Sequence, residues 1–251
     1  VHKKNSKTGR AQSSLSTKMT TRVLCSLTKL SCHSRRASIS AKSYRLFSSS
    51  SSSSSTTTTT DLLHSCLANY SIEVTPGAAR KINSFADVAG LAPNTSVNVT
   101  YLVGADINES LEICSRLVEG GMVPVAHVPA RAFATLSEVD DYLSKLHQLG
   151  CQEVLVLGGG APEPAGELHE TMQILESGLL AKYSFNKIGV AAHPEGHPEI
   201  SESALADAIL RKALWAKEAN VELYYETQFC FDHEPIIEWE KQTRKMLQEH
   251  I

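Results

Sequence analysis

Hydrophobic and polar positions follow two alternating patterns along residues 70–250. Short runs rich in β-branched and aromatic residues have the length of strands, and the longer segments between them repeat apolar residues with the period of an amphipathic helix. The predicted strands are Ser71–Val74, Val97–Leu102, Val123–Val128, Glu153–Leu157, Lys187–Ala191 and Glu222–Phe229. The predicted helices are Glu109–Glu119, Leu136–Leu149, Leu168–Leu180, Ser203–Ala219 and Pro235–His250.

Strands that alternate with helices predict a parallel sheet with right-handed crossovers. Polar side chains follow several predicted strands, and the carboxyl ends of the strands are where a (β/α)₈ barrel builds its active site. An open doubly wound sheet is the alternative, but the turn after the first strand, 76–80, lacks the glycine fingerprint of a dinucleotide site. We therefore predict an α/β fold of the TIM-barrel type over residues 61–251, incomplete with about six strands. Its first and last strands would be open edges.

Charge divides the chain into two parts. Residues 1–60 contain 11 Lys and Arg and no acid, so residues 61–251 hold 13 of the 24 basic residues and all 27 acidic ones, a formal charge of −14. A body this acidic argues against nucleic-acid binding, because phosphate contacts need a basic surface. The chain has no apolar run long enough for a transmembrane helix, so we expect no membrane insertion.

The first sixty residues have the composition of an organelle transit peptide, rich in Ser, Thr, Lys and Arg. The sequence from Arg45 to Ser48 resembles a mitochondrial processing site, and residues 48–60 are all Ser or Thr, which predicts disorder. We expect a mitochondrial matrix protein, with a plastid as the alternative destination. A basic tail without targeting function would have the same composition.

The histidine-rich loop after the fifth predicted strand is the most informative segment. His193 and His197 lie four residues apart, but Pro194, Gly196 and Pro198 exclude the helix that an H-E-x-x-H zinc site needs. The cysteines of the body form no C-x-x-C pair, so neither a disulfide framework nor a metal site is predicted. The loop either directs imidazole and carboxylate groups at a ligand or is a structural turn.

Three other positions could carry chemistry. Glu73 is an acid within an apolar strand, and burial would favour its protonated form as a general acid requires, unless it faces solvent. Gly158–Gly160 could present backbone N–H groups to a ligand or be a flexible turn. The Gln228 amide could bind the edge of a heterocycle, and nearby Phe231 could stack on its ring. Alternatively, Gln228 caps the strand and Phe231 belongs to the hydrophobic core.

Six segments in order resemble the methylenetetrahydrofolate reductase family. They are Ser71–Pro76, Val99–Tyr101, Ala126–His127, Leu157–Gly160, Gly189–Glu199 and Thr227–Asp232. The resemblance spans nearly all of residues 70–245. It implies an FAD-bearing barrel that reduces 5,10-methylenetetrahydrofolate to 5-methyltetrahydrofolate with NAD(P)H, in one-carbon and methionine metabolism.

The resemblance also implies roles for individual residues. Glu73 matches the general acid, and Gln228 matches the residue that holds the pterin, with Phe231 beside it in the substrate site. The implied cofactor contacts are Thr100, His127, Gly158, Gly159, Gly160, Ala191, His193, His197 and Lys217, the last near the phosphates. His193 stands where the family often has Tyr.

One departure from the family pattern concerns the end of the fourth predicted strand. The family usually has Arg-Gly-Asp there, and this chain has Gly158-Gly159-Gly160, which lacks the carboxylate near flavin and folate. A folate- or flavin-binding module without catalysis is therefore a second hypothesis. A barrel lyase or aldolase is a third, although no strand ends in a Schiff-base lysine. A homo-oligomer is compatible with the sequence.

Overall fold

A computed structural model describes residues 22–23, 70–228 and 232–250. In these residues seven strands form one sheet in the order β1-β7-β6-β5-β4-β3-β2. The strands are β1 (Arg22–Val23), β2 (Ser71–Val74), β3 (Ser96–Val99), β4 (Val123–Pro129), β5 (Glu153–Leu157), β6 (Lys187–Ala192) and β7 (Glu222–Thr227). Neighbours from β2 to β7 pair in parallel, as predicted, and β1 pairs antiparallel with β7.

Helices connect the parallel strands. They are α1 (Pro76–Ala79), α2 (Asn108–Glu119), α3 (Leu136–Gln148), α4 (Thr171–Leu175), α5 (Leu179–Lys182), α6 (Glu202–Ala219) and α7 (Glu234–His250). Capping residues begin two of the longer helices: the Thr135 hydroxyl accepts from the N–H of Glu138 at α3, and the Ser201 hydroxyl accepts from that of Ala204 at α6. Asn220 ends α6 in the left-handed conformation that Asn tolerates.

The outer face of the sheet is apolar and lies under the helices. Val97, Val99, Val154, Val156 and Val190 are fully buried in one cluster with helix residues such as Ile113, Leu117, Leu143 and Leu146. Successive residues of a strand point to opposite faces, so this cluster uses every second residue of each strand. The hydrophobic core is therefore the layer between the sheet and the helices.

The inner face of the sheet carries the polar strand residues. Asn98 of β3 donates from Nδ2 to Oε1 of Glu226 on β7 over 2.7 Å, although β4, β5 and β6 separate these strands in the sheet. Two side chains can meet across three intervening strands only if the sheet curves strongly. The six parallel strands thus form a half-barrel, which confirms the prediction of an incomplete (β/α) barrel.

Two predicted elements differ from the structure by more than two residues at one end. The predicted helix Leu168–Leu180 is two short helices, because the chain turns at Gly178 with a left-handed φ of 78°. The second predicted strand ends at Val99 rather than Leu102, before a turn that contains Gly104 at φ 82°. Periodicity detects an element more reliably than its ends.

The edge of the last parallel strand is covered in part. Arg22 and Val23 pair with Glu226 and Tyr225, so β7 is not the fully open edge that the sequence predicted. The rest of the basic segment 1–60 lies outside the described residues. None of the helices in the described part of the chain is long and apolar enough to cross a membrane.

Candidate active site

Glu73 and Thr100 form the first corner of the inner face. β2 and β3 are neighbours, and Thr100 follows the last residue of β3. The Thr100 hydroxyl donates to Oε1 of Glu73 over 2.8 Å, and both side chains are partly buried. Glu73 therefore points into the half-barrel rather than out to solvent, and its carboxyl group has a fixed orientation.

His127 lies beside this corner, on β4. It follows Ala126, the register partner of Val99, so His127 neighbours Thr100 on the inner face. Its side chain is 7% exposed, and no residue that the structure describes forms a hydrogen bond with Nε2. Burial lowers the pKa of His127 to about 4, so the imidazole is neutral at pH 7. A buried ring nitrogen without a protein partner suits a hydrogen bond to a ligand.

The glycine tract after β5 is held in place by the segment that follows β4. The Arg131 N–H donates to the Gly158 carbonyl over 2.9 Å, and the Arg131 carbonyl accepts from the N–H of Ala165 over 2.9 Å. The Arg131 guanidinium also donates to the Pro162 carbonyl over 3.1 Å. Gly159 needs its hydrogen side chain, because its φ is 95° and a Cβ there would lie 3.2 Å from that of Pro129. The tract is therefore joined to the segment after β4 through the Gly158 carbonyl.

Two apolar side chains line the rim near this loop. Leu102 and Val103 are 51% and 59% exposed, and a Cβ on Gly160 would lie 3.9 Å from Val103. Apolar side chains that stay exposed at the mouth of a barrel are typical of ligand sites. Because glycine leaves the space beside Val103 open, a ring could lie against this rim.

The histidine-rich loop forms the other side of the mouth, after β6. The rings of His193 and His197 meet edge to face with centroids 5.1 Å apart. Partial burial lowers the pKa of His193, and the neighbouring His197 and Lys212 lower it further. Burial also lowers the pKa of Lys212, and the nearby Glu170 carboxylate partly offsets that shift. Glu170 also pairs with Arg211 at 3.7 Å. Lys212 therefore lies close enough to His193 for the two side chains to interact electrostatically.

The remaining predicted site residues lie in different places. Ala191 is on the inner face of β6 as the register partner of Glu226, and Gln228 follows β7, exposed at the mouth. Lys217 is exposed in the last turn of α6, which runs away from the mouth because it follows the carboxyl end of β6. Phe231 lies outside the described residues.

Three inner or mouth residues were absent from the sequence prediction. Asn98 and Glu226 stand two positions before Thr100 and Gln228, so strand periodicity alone could have placed them on the same face. Lys212 lies three residues after the buried Ile209, at the border of the buried face of α6. Residue type and spacing were available in the sequence for all three.

A separate cavity lies behind the sheet. It has a volume of about 600 Å³ and opens between α6 and α7, with His193, Ile209, Trp239 and Met246 among its lining residues. Trp239 also contacts the ring of Tyr225, an outer-face residue of β7, at a centroid distance of 6.0 Å. The cavity is therefore outside the half-barrel and meets the mouth at residues 193–196 of the histidine-rich loop. Within the described ranges no three His, Cys, Asp or Glu side chains cluster as metal ligands would.

The sequence profile of a known family covers this whole region. The profile described as methylenetetrahydrofolate reductase matches residues 60–250, which include every parallel strand and its mouth residues. The chain belongs to the methylenetetrahydrofolate reductase family. Members of this family are folate-related oxidoreductases on a TIM-barrel fold, which agrees with the half-barrel described above.

The methylenetetrahydrofolate reductase family generally uses FAD and NAD(P)H. The mouth of this chain fits such a group in three respects. His127 offers a buried Nε2 without a described partner, Gly160 leaves space beside Val103, and Lys212 places a cation beside His193. After β5, where the family usually has Arg-Gly-Asp, this chain has Gly158–Gly160 and no charged side chain.

Proposed function

We propose that the chain reduces 5,10-methylenetetrahydrofolate to 5-methyltetrahydrofolate with hydride from NAD(P)H, using FAD, in one-carbon and methionine metabolism. The observation that carries this proposal is the contact between Thr100 and Glu73, with the neutral His127 on the next strand. An oriented carboxyl group beside a buried neutral imidazole can deliver a proton and bind a polar ring in one place. Gln228 stands at the same mouth.

Each proposed role follows from the position of a side chain. His127 and Ala191 would contact the flavin ring, and Lys212 with the two loop histidines would hold its phosphates. A bound flavin supplies the relay of hydride between nicotinamide and folate. The Gln228 amide would both donate to and accept from the pterin edge. Gly158–Gly160 lets the backbone approach the cofactor closely.

Glu73 is proposed as the general acid. Opening the methylene bridge leaves an iminium at one nitrogen of the folate, and a proton on the departing nitrogen makes that bond easier to break. The Thr100 hydroxyl donates to Oε1 of Glu73, so the other carboxyl oxygen can carry the proton that is transferred. Thr100 thereby fixes which oxygen faces the substrate.

Absorbance of the purified full chain tests this proposal. We expect the protein to bind FAD, its flavin absorbance to be bleached by NADH or NADPH, and methylenetetrahydrofolate to restore it. The comparison of the two nucleotides also gives the preferred donor. A protein that takes up no flavin and leaves methylenetetrahydrofolate unchanged would contradict the proposal.

Replacement of Glu73 by Gln separates catalysis from binding. The amide keeps the shape of the carboxyl group and removes its proton, so we expect turnover to fall by about 10²- to 10⁴-fold with flavin affinity nearly unchanged. Glu119→Gln is the matched control, since Glu119 ends α2 away from the mouth. An equal loss of turnover and of flavin binding in Glu73→Gln would instead indicate a structural role.

One observation favours a second candidate, a folate- or flavin-binding module without catalysis. The loop at Gly158–Gly160 carries no charged side chain. Calorimetric titration with 5-methyltetrahydrofolate, run beside the turnover assay, distinguishes the two functions. Folate binding without any turnover would favour the module.

We also propose that the basic segment 1–60 directs the protein to the mitochondrial matrix. The 11 basic residues and the absence of acids support this location. A fluorescent protein fused behind residues 1–60 should enter mitochondria, and a version with Arg35 and Arg36 replaced by Gln should enter less efficiently. Import into plastids, or a cytosolic signal for both fusions, would contradict the proposal.

A further inference from the structure

Glu226 is a carboxylate inside the half-barrel that neither the family pattern nor the proposed mechanism uses. It is the penultimate residue of β7, 7% exposed, and two positions before Gln228 on the same face. Its Oε1 accepts from Nδ2 of Asn98 over 2.7 Å, and Asn98 itself is fully buried. The carboxylate is thus fixed in orientation directly beneath the mouth.

The inner-face residues next to Glu226 are apolar. Ala191 is its register partner on β6, and Leu157 and Pro129 are register partners of each other on β5 and β4. Because Val156 pairs with Val190, Leu157 and Ala191 are also neighbours. Pro129 is buried beside Gly159, so Leu157 and Ala191 form the row of apolar residues that a ligand can reach, and this row ends at the Glu226 carboxylate.

This row has the chemistry of a platform for a planar heterocycle. Apolar side chains can cover one face of a ring, and the small Ala191 leaves room beside the carboxylate. A carboxylate accepts strong hydrogen bonds from ring N–H groups and stabilises positive charge on a ring. Flavins and reduced folates both carry a ring edge of this kind, so the two share the chemistry that Glu226 would recognise.

We propose that Glu226, oriented by Asn98, accepts from the N–H edge of the ring bound on the row Leu157 and Ala191. The residue supplies a carboxylate from the last strand, whereas the loop at Gly158–Gly160 has none. Asn98 is a positioning residue in this arrangement, because it contacts the carboxylate and not the ring. The inference rests on the proposed function in one respect: the mouth binds a flavin or a folate.

A matched pair of inner-face glutamates makes the test specific. Glu153 is also buried, at 3%, but it begins β5 at the far end of the strands from the mouth and pairs with Lys187 at 2.9 Å. Glu226→Gln and Glu153→Gln make the same chemical change at the mouth and at the opposite end of the half-barrel. Only the first should alter ligand affinity.

The experiment titrates the full chain separately with FAD and with 5-methyltetrahydrofolate, and records thermal unfolding of each variant. Glu226→Gln should lower the affinity for at least one of the two ligands by about tenfold, since a charged acceptor becomes a neutral one. Loss with FAD alone assigns the flavin ring to the row, and loss with folate alone assigns the pterin. Asn98→Ala should weaken the same ligand, and should add little to Glu226→Gln, because Asn98 acts through Glu226.

Glu226→Asp provides a second variant if the Gln variant does not fold. It keeps the charge but withdraws the carboxylate by one methylene, so the affinity for the same ligand should again fall. Unchanged affinity for both ligands in a folded Glu226 variant would overturn the inference, whatever happens to thermal stability. Failure of the unaltered chain to bind either ligand would instead remove the proposed function on which the inference rests.

Discussion

The two faces of the parallel sheet use the same strands for different purposes. On the outer face, residues such as Val97, Val154 and Val190 are fully buried against helices. On the inner face, the alternating positions hold Glu73, Asn98, Thr100, His127 and Glu226, which form hydrogen bonds with one another or leave a nitrogen without a described partner. Stability should therefore depend mainly on one face and ligand binding on the other.

The inner face is itself divided along the strands. At the amino ends, Glu153 pairs with Lys187, and the Lys187 ammonium lies 5.5 Å from the centre of the Tyr224 ring. Above them Tyr224 covers Gly189, where a Cβ would come within 2.5 Å of Cζ of the tyrosine. This filled layer closes the half-barrel from below, so only the carboxyl ends of the strands remain available for a ligand.

The largest effect is expected from removing a buried side chain that packs on the outer face of the sheet. Leu143 of α3 is fully buried, and Leu143→Ala should lower the free energy of unfolding by about 2–5 kcal/mol through the cavity it leaves. Flavin affinity of the folded fraction should stay the same. Chemical denaturation with a parallel titration measures both quantities, and Ser137→Ala on the exposed side of the helix is the control. A loss of affinity with little loss of stability would break the division between the faces.

An intermediate effect is expected from the pH dependence of His127. Its pKa in the folded state is about 4, below the unfolded value of 6.5, so between these values the unfolded chain binds the proton and the folded chain does not. Stability from this residue is complete above pH 6.5 and is lost as the pH falls toward 4, by about 3 kcal/mol in all. His127→Gln should remove that part of the pH dependence.

Denaturation of wild type and His127→Gln at several pH values between 4 and 7 gives the difference between the two stability curves. The subtraction cancels the contributions of the acidic residues, which are the same in both proteins. Parallel curves over this range would show that burial of His127 does not control its protonation.

The smallest expected effect is a difference in FAD affinity between variants of two lysines on α6. Lys212 lies near His193, and Lys217 lies in the last turn of the helix. Lys212→Met should lower the affinity for FAD by about tenfold, which is the scale of one charged hydrogen bond to a phosphate. The affinity for riboflavin, which lacks phosphate, should not change. Lys217→Met is the matched control and should leave both affinities unchanged. The reverse result would return the phosphate contact to Lys217, as the family resemblance implied.

Much of the fold could be predicted because its signals are local. Short β-rich runs predicted β2 through β7, and the helical spacing of apolar residues predicted α3 and α6 to within one residue at each end. Gly178, in contrast, interrupts a segment whose apolar spacing is helical throughout. Such a break depends on a single backbone angle that the hydrophobic pattern does not encode.

The candidate site was only partly accessible from the sequence. The Glu73 side chain could be named but not assigned to a face until its contact with Thr100 was known. The pairing of Asn98 with Glu226 joins residues 128 positions apart, and no periodicity within a strand predicts such a partner. Likewise, Lys212 and Lys217 share one helix and one residue type, and only the structure shows that Lys212 is partly buried and Lys217 is exposed.

By itself, the sequence determined the alternation of strands and helices, the acidic body behind a basic segment, and the order of the family motifs, since each depends on neighbouring residues or composition. Tertiary structure alone decided which strand face became the interior and how sharply the sheet curved. Curvature is a collective result of strand twist and packing, and it is what allows the Asn98 amide to reach Glu226 across three strands.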